Sequence, residues 1–366
     1  MNIADLRCHA WVVAAAILAG CTIAPSANPA PPLLPAAGRA AHTLASYVFV
    51  SECCRYASGG GSITLYTLGL TGVAERITKG AANPGLITID RSGRLYDIVG
   101  RYYDGAVTEY DRGSVSPSRR IEKDDAWAVA TDSASNLYVD SCPKCHEYGF
   151  GKSSIEVYKA GTTRLLRTIT RGIDAPLSLA IDTNDDLYVL NGRYPHPAVA
   201  VYAPGSSEPL RKLTRGLSGP TVVALDSSND VFVMNDPGSG AGSIAEYQAP
   251  SDKLLRTITS GISSPQAIAL DGSGTLYVAN GAARGWISVY SPGVSTPSYE
   301  IKSGVDYPSS LTVDDQDNLY VANVGYGSPV RDRRAVCVYA PNAQKPLRCV
   351  PGARRYDTPT SLASGR

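Results

Sequence analysis

The chain is 366 residues long and nearly neutral, with 34 Lys and Arg against 33 Asp and Glu and a net charge of +1. Charged residues make up only 18%, so no basic surface exists to hold a phosphate backbone, and nucleic acid is excluded as a partner. A hydrophobic content of 43% is enough for a packed core, while 35 Gly, 25 Pro and 22 Tyr describe a turn-rich chain that favours strands over helices.

Residues 1–20 read as an export signal. Trp11 to Ala19 (WVVAAAILA) is an apolar run too short to span a bilayer as a helix, and it follows a short region carrying Arg7. Leu18-Ala19-Gly20-Cys21 resembles the bacterial lipobox, which implies cleavage before Cys21 and acylation of its thiol. Thr22 stands where the enteric lipoprotein pattern places the Asp that retains a protein at the inner membrane, which points to the outer membrane in a host that has one, with the periplasmic side and the cell surface both open. Residues 21–45 hold five prolines and no patterned hydrophobicity, the composition of an extended tether. The expected location is therefore the cell envelope, with a lipid as the membrane attachment.

From residue 46 onward the chain repeats one unit. A pattern of the form P-x-x-L-x-x-D, turn, L-Y-V-x-N, loop, I-x-V-Y, turn, L-R-x-I-T-x-G recurs every 42 to 50 residues, with its Asp at Asp90, Asp132, Asp182, Asp226, Asp271 and Asp314. The Tyr of its third run falls at Tyr66, Tyr110, Tyr158, Tyr202, Tyr247, Tyr290 and Tyr339. Each unit offers four short runs rich in Val, Ile, Leu and Tyr between Gly, Asp, Asn and Ser, which predicts four strands, a to d, joined by tight turns. Such a sheet cannot bury both faces unless neighbours stack on it, and stacked four-strand units make a β-propeller.

The ends set the blade number. Residues 46–80 supply strands b, c and d without an a strand, and Thr358 to Ala363 (TPTSLA) supply an a strand alone. Pairing the two completes a seventh blade and removes two open sheet edges. The expected fold is thus an all-β, seven-bladed, monomeric propeller of antiparallel blades over residues 46–366, closed by three N-terminal strands and one C-terminal strand.

The repeat, as in Pro265 to Asn280 (PQAIALDGSGTLYVAN) followed by Ile287 to Tyr290 (ISVY), resembles the NHL-type and streptogramin-lyase-like propellers. That resemblance implies the architecture. It extends to lyases and gluconolactonase-like enzymes that work at the channel mouth with a metal and a His or carboxylate base, and also to binding modules, so it implies no single chemistry. His42, His146 and His196 all lie outside the repeated strands, and no catalytic residue of those enzymes can be carried over.

One face is expected to carry the a–b and c–d turns, which are short Asp, Gly and Asn segments with a structural role. Asp182 to Asp186 and Asp314 to Asp317 glance at calcium loops but lack their twelve-residue frame, and no metal site is assigned. The other face carries the b–c loops, which differ from blade to blade, as binding segments on a rigid scaffold do. They contain Tyr56, Tyr102, Tyr103, Tyr148, Tyr194, His196, Trp286 and Tyr326, with Arg55, Arg101, Arg193, Arg284 and Arg331 nearby. Aromatic and guanidinium groups give large contact area at low entropic cost, so a protein, peptide or glycan ligand is expected there. Asn191, Asn235, Asn280 and Asn323 close strand b in four successive blades, either as polar groups at the channel mouth or as a repeated cap for backbone groups.

Six cysteines remain after Cys8 and Cys21. Cys337 and Cys349 sit symmetrically about a c–d turn and are expected to form a cross-strand disulfide. Cys142-Pro143-Lys144-Cys145-His146 admits a c-type haem attachment string with His146 as axial ligand, a disulfide within the loop or to Cys53 or Cys54, or, less in keeping with an oxidising compartment, a zinc site with one of Cys53 and Cys54. No cofactor is otherwise called for. The leading expectation is a lipid-anchored, non-catalytic binding or scaffolding propeller, with a lyase or lactonase-like enzyme as the alternative and a haem electron carrier behind it.

Overall fold

The computed structural model describes residues 14–15, 47–54, 60–99, 105–123, 126–142, 152–192, 195–238, 240–251, 253–325, 335–352 and 357–365. They form seven sheets of four antiparallel strands, ordered a-b-c-d from the inside outward. Blade four is typical: strand a is Pro176–Ile181, b is Leu187–Asn191, c is Ala198–Tyr202 and d is Arg211–Leu213. Strand b is buried along its whole length, whereas strand d runs from half-buried Arg211 through exposed Lys212 to buried Leu213, as expected of the outermost strand.

Blade one is assembled from both ends of the chain. Its a strand, Asp357–Gly365, pairs antiparallel with Tyr47–Cys54, with Val48 opposite Ser364 and Val50 opposite Leu362. The closing strand is longer than the Thr358 to Ala363 run read from sequence, because its pairing continues to Gly365 opposite Tyr47. Hydroxyls seal the seams on either side: Leu362 N donates to Ser310 Oγ of blade seven at 3.1 Å, and Ile87 N of blade two donates to Ser361 Oγ at 3.3 Å. Ala14–Ala15 add a two-residue parallel strand beside Ala267 and Ile268, on the inner edge of blade six.

The core lies between blades. One apolar cluster joins Ala267, Tyr277 and Ile287 of blade six to Leu311, Leu319 and Val321 of blade seven, and another joins Leu179 and Val189 of blade four to Ile155 and Ile169 of blade three. Each blade is thus stable only between two neighbours, which is why closure matters. The c-strand tyrosines latch the same seams: the hydroxyls of Tyr110, Tyr202, Tyr290 and Tyr339 donate to the carbonyls of Lys79, Arg171, Ser260 and Ser303 at the end of the preceding blade. Burial pushes the Tyr247 and Tyr290 hydroxyls up to about 12, so they remain protonated donors at neutral pH.

The repeated Asp organises each a–b turn. Asp271 Oδ1 accepts the amides of Ser273 and Thr275, both at 2.9 Å, and Oδ2 accepts the hydroxyl of Tyr277 at 3.2 Å. The residue after the turn's centre takes positive φ, at Gly93, Ser135, Asp185, Asn229, Gly274 and Asp317, which accounts for the Gly, Asn and Asp found at five of the six places. These carboxylates are spent on their own turns. No group of three or more His, Cys, Asp or Glu among the described residues is arranged to hold a metal ion.

Candidate functional site

Strands b end, and strands a begin, on the face opposite those turns. The connections there run from five residues in blade six (281–285) to twelve in blade three (142–153). This face combines variable b–c loops with d–a connections that are held tightly.

The holding groups are the four asparagines. Asn191 Nδ2 donates to Gly172 O at 2.8 Å while its Oδ1 accepts Asp174 N at 2.8 Å, so one amide braces the d–a connection entering its own blade. Asn235 does the same with Gly216 O and Ser218 N, Asn280 with Gly261 O and Ser263 N, and Asn323 with Gly304 O and Asp306 N. All four side chains are buried. With both ends of each amide engaged by backbone, the geometry is that of a loop brace. The bracing carbonyls belong to glycines for a steric reason: Gly172 has φ near +75°, and a Cβ there would lie 2.9 Å from the Tyr202 hydroxyl oxygen.

In blades one to three the place of the Asn is held by Glu52, Val99 and Ser141, and buried carboxylates stand at it or within two residues of it. Glu52 faces Ser62 across strands b and c as Asn235 faces Ser243, and it accepts the hydroxyls of Ser62 at 3.3 Å and Thr64 at 2.8 Å. Asp140 Oδ1 accepts the amides of Trp127 and Ala128 at 2.7 and 2.9 Å, and Asp97 Oδ1 accepts Gly85 N at 3.1 Å. All three are buried. Asp97 was not singled out by the repeat pattern, because it interrupts L-Y-V-x-N as Leu95-Tyr96-Asp97-Ile98-Val99; that interruption was the available signal.

Of the aromatic residues expected to form a ligand face, two are described. His196 is exposed in the b–c loop of blade four, and Trp286, half-buried, opens strand c of blade six with its indole N–H donating to Ser288 Oγ at 3.0 Å. Tyr56, Tyr102, Tyr103, Tyr148, Tyr194 and Tyr326 lie outside the described residues, as do Cys145 and His146. Among the described residues a cavity of about 220 Å³ opens on this face between blades six and seven, lined by Arg284, Val305, Asp306, Asn323 and the Cys337–Cys349 pair. A larger one, about 310 Å³, lies on the turn face beside Asp226, Phe232, Glu246 and Arg256.

Cys337 and Cys349 are bonded, on directly opposed positions of strands c and d with Cα atoms 4.0 Å apart, as their symmetry about the turn predicts. Cys142 is buried, disulfide-bonded and 3.1 Å from Ser153 Oγ, and its bonding partner lies outside the described side chains. A haem thioether at Cys142 would require that bridge to be opened first.

No helix among the described residues is long and apolar enough to cross a membrane. No family model matches the chain, and no curated protein is similar to it in sequence. Solved structures share the fold. Hydrazine synthase of Kuenenia stuttgartiensis is 17% identical, with a TM-score of 0.56 over 70% of this chain and 76% of that one. A chain of the nidogen/laminin complex is 12% identical, with a TM-score of 0.52 over 88% of this chain and 98% of that one. The chain is a seven-bladed β-propeller, and similarity at this level of identity speaks for the architecture alone.

Proposed function

We propose that this protein is a lipid-anchored propeller of the cell envelope that binds a protein, peptide or glycan through its b–c loop face, without catalysing a reaction. The observation that carries this is the asymmetry of the two faces. Turns on one face are near-copies locked by Asp carboxylates, whereas the other sets loops of unequal length and composition on a rim braced by Asn191, Asn235, Asn280 and Asn323. A rigid rim under variable loops is the arrangement that presents contact residues at low ordering cost. Nidogen, a neighbour in fold, was solved in a complex with laminin, which fits a protein partner.

The lipobox-like Leu18 to Cys21 and the proline-rich tether support the anchored location. The test is retention of envelope components on the purified propeller. Tyr194→Ala and Trp286→Ala are expected to lose what the wild type retains, while Ser228→Ala on the turn face is expected to keep it. Equal retention by all three contradicts the assignment of the face.

A further inference from the structure

The two sulfurs of the last blade are not equivalent. Cys337 is buried in strand c, Ala335–Tyr339, whereas Cys349 is exposed in strand d, Arg348–Pro351, the outermost strand of its sheet. The bridge lines the cavity of about 220 Å³ that also carries the Arg284 side chain. An incoming thiolate therefore has space and one accessible sulfur, beside a lining that pairs Arg284 with Asp306.

Polar groups stand around Cys337. In blade six the same place is held by Ser288, opposite Val278 as Cys337 is opposite Val321. There Asn280 Nδ2 donates to Ser288 Oγ at 3.1 Å, and the serine hydroxyl donates to Gly261 O at 2.6 Å. In blade seven the Asn323 Nδ2 lies 3.7 Å from Cys337 Sγ, which is in turn 3.2 Å from Gly304 O. The sulfur thus inherits a site built for a hydroxyl: an amide donor for its thiolate, and a carbonyl acceptor for its thiol.

We propose that the Cys337–Cys349 bridge is a thiol–disulfide exchange site that takes an external dithiol as its reductant. One thiolate of the dithiol attacks Cys349 Sγ, and a bond forms between them. The bond to Cys337 breaks, and its electron pair leaves as the Cys337 thiolate, which Asn323 Nδ2 stabilises before it is protonated. The second thiol of the reductant, deprotonated, then attacks the first, releasing the Cys349 thiolate. Two electrons and two protons pass to the protein, and the dithiol leaves as a disulfide. Strand d of blade seven is then held by its backbone ladder, by Arg348 Nη1 donating to Leu70 O at 3.4 Å and by Val350 packed against the core.

The experiment treats the native protein with dithiothreitol in the absence of denaturant and blocks free thiols with N-ethylmaleimide at timed intervals. Peptide mass mapping follows Cys337 and Cys349 separately from the Cys142 bridge. Both residues are expected to become alkylated while far-ultraviolet circular dichroism stays unchanged, at a rate first order in dithiothreitol and insensitive to low urea. A rate that climbs steeply with urea shows that the bridge opens only on unfolding, and overturns the proposal. The order of attack is read with glutathione on the wild type under acid quench, where the mixed disulfide is expected on Cys349; an adduct on Cys337 overturns the assignment. Cys337→Ser, which installs the residue blade six carries at this place, is expected to fold and to accept glutathione from glutathione disulfide at Cys349. A folded variant that takes no glutathione contradicts the accessibility on which the proposal stands.

Discussion

Phe232 offers Asp226 no hydroxyl, whereas Tyr96, Tyr138, Tyr277 and Tyr320 each donate one to Asp90, Asp132, Asp271 and Asp314. Asp226 is accordingly half-buried where its five counterparts are buried, and it lines the cavity of about 310 Å³ on the turn face. Phe232→Tyr restores the missing donor in a place with room for it. The variant is expected to gain about 1 kcal/mol, the net worth of a hydrogen bond, read as a higher urea midpoint with unchanged slope. The reverse change, Tyr277→Phe, is expected to cost a similar amount.

The same pair sets a pH dependence. Burial raises the Asp226 carboxyl above its ordinary value, against the backbone amides of Asp230 and Ser228 that lower it. A carboxyl raised in the folded state binds its proton more tightly there than when unfolded, so its contribution to stability falls as pH rises through the carboxylate range and is flat above it. A phenol donating to the ionised carboxylate pulls that value back down. The advantage of Phe232→Tyr over the wild type is therefore expected to be full at pH 7 and to shrink as the solution is acidified through that range, measured by urea unfolding at several pH values.

The asparagine braces differ in redundancy. Gly261 O, the partner of Asn280, also accepts the Ser288 hydroxyl, so Asn280→Ala leaves that carbonyl satisfied. Asn191→Ala removes its bonds to both Gly172 O and Asp174 N, and Ala200, at the place of Ser288, has no hydroxyl to offer the carbonyl. The expected cost is about 1–3 kcal/mol for Asn191→Ala and less for Asn280→Ala. Amide hydrogen exchange of residues 172–175 is expected to accelerate in the first variant, more than that of residues 261–264 in the second.

The proposed anchoring rests on one thiol. Cys21→Ala is expected to move the protein from the membrane fraction to the soluble fraction without changing its thermal unfolding, since no repeat strand includes that residue. A variant that still sediments with membranes contradicts a lipid anchor at this position.

Much of the architecture was legible because a propeller writes the same physics into every blade. The Asp of each a–b turn and the Tyr of each c strand recur visibly, and the terminal fragments add up to one blade. The cross-strand bridge was legible for a related reason: residues equidistant from a tight turn face each other, as Cys337 and Cys349 do. What could not be read depends on contacts between distant segments. Asn191 admits two roles until Gly172 O, nineteen residues upstream, is seen against its amide. Asp97 breaks the repeat without showing that it holds Gly85 N. Phe232 is an inconspicuous change until Asp226 is known to have lost a partner. The b–c loops follow no repeat, so neither periodicity nor turn chemistry constrains them.

The central claim is that recognition belongs to the b–c loop face, and site-specific cross-linking tests it most directly. A photo-reactive amino acid is placed at residue 194 in the b–c loop of blade four and, separately, at residue 228 in the a–b turn of blade five, in the full chain anchored in its own envelope. The account predicts one discrete, saturable adduct from position 194 and none from position 228. Adducts from position 228 alone, or the same adducts from both, would contradict it.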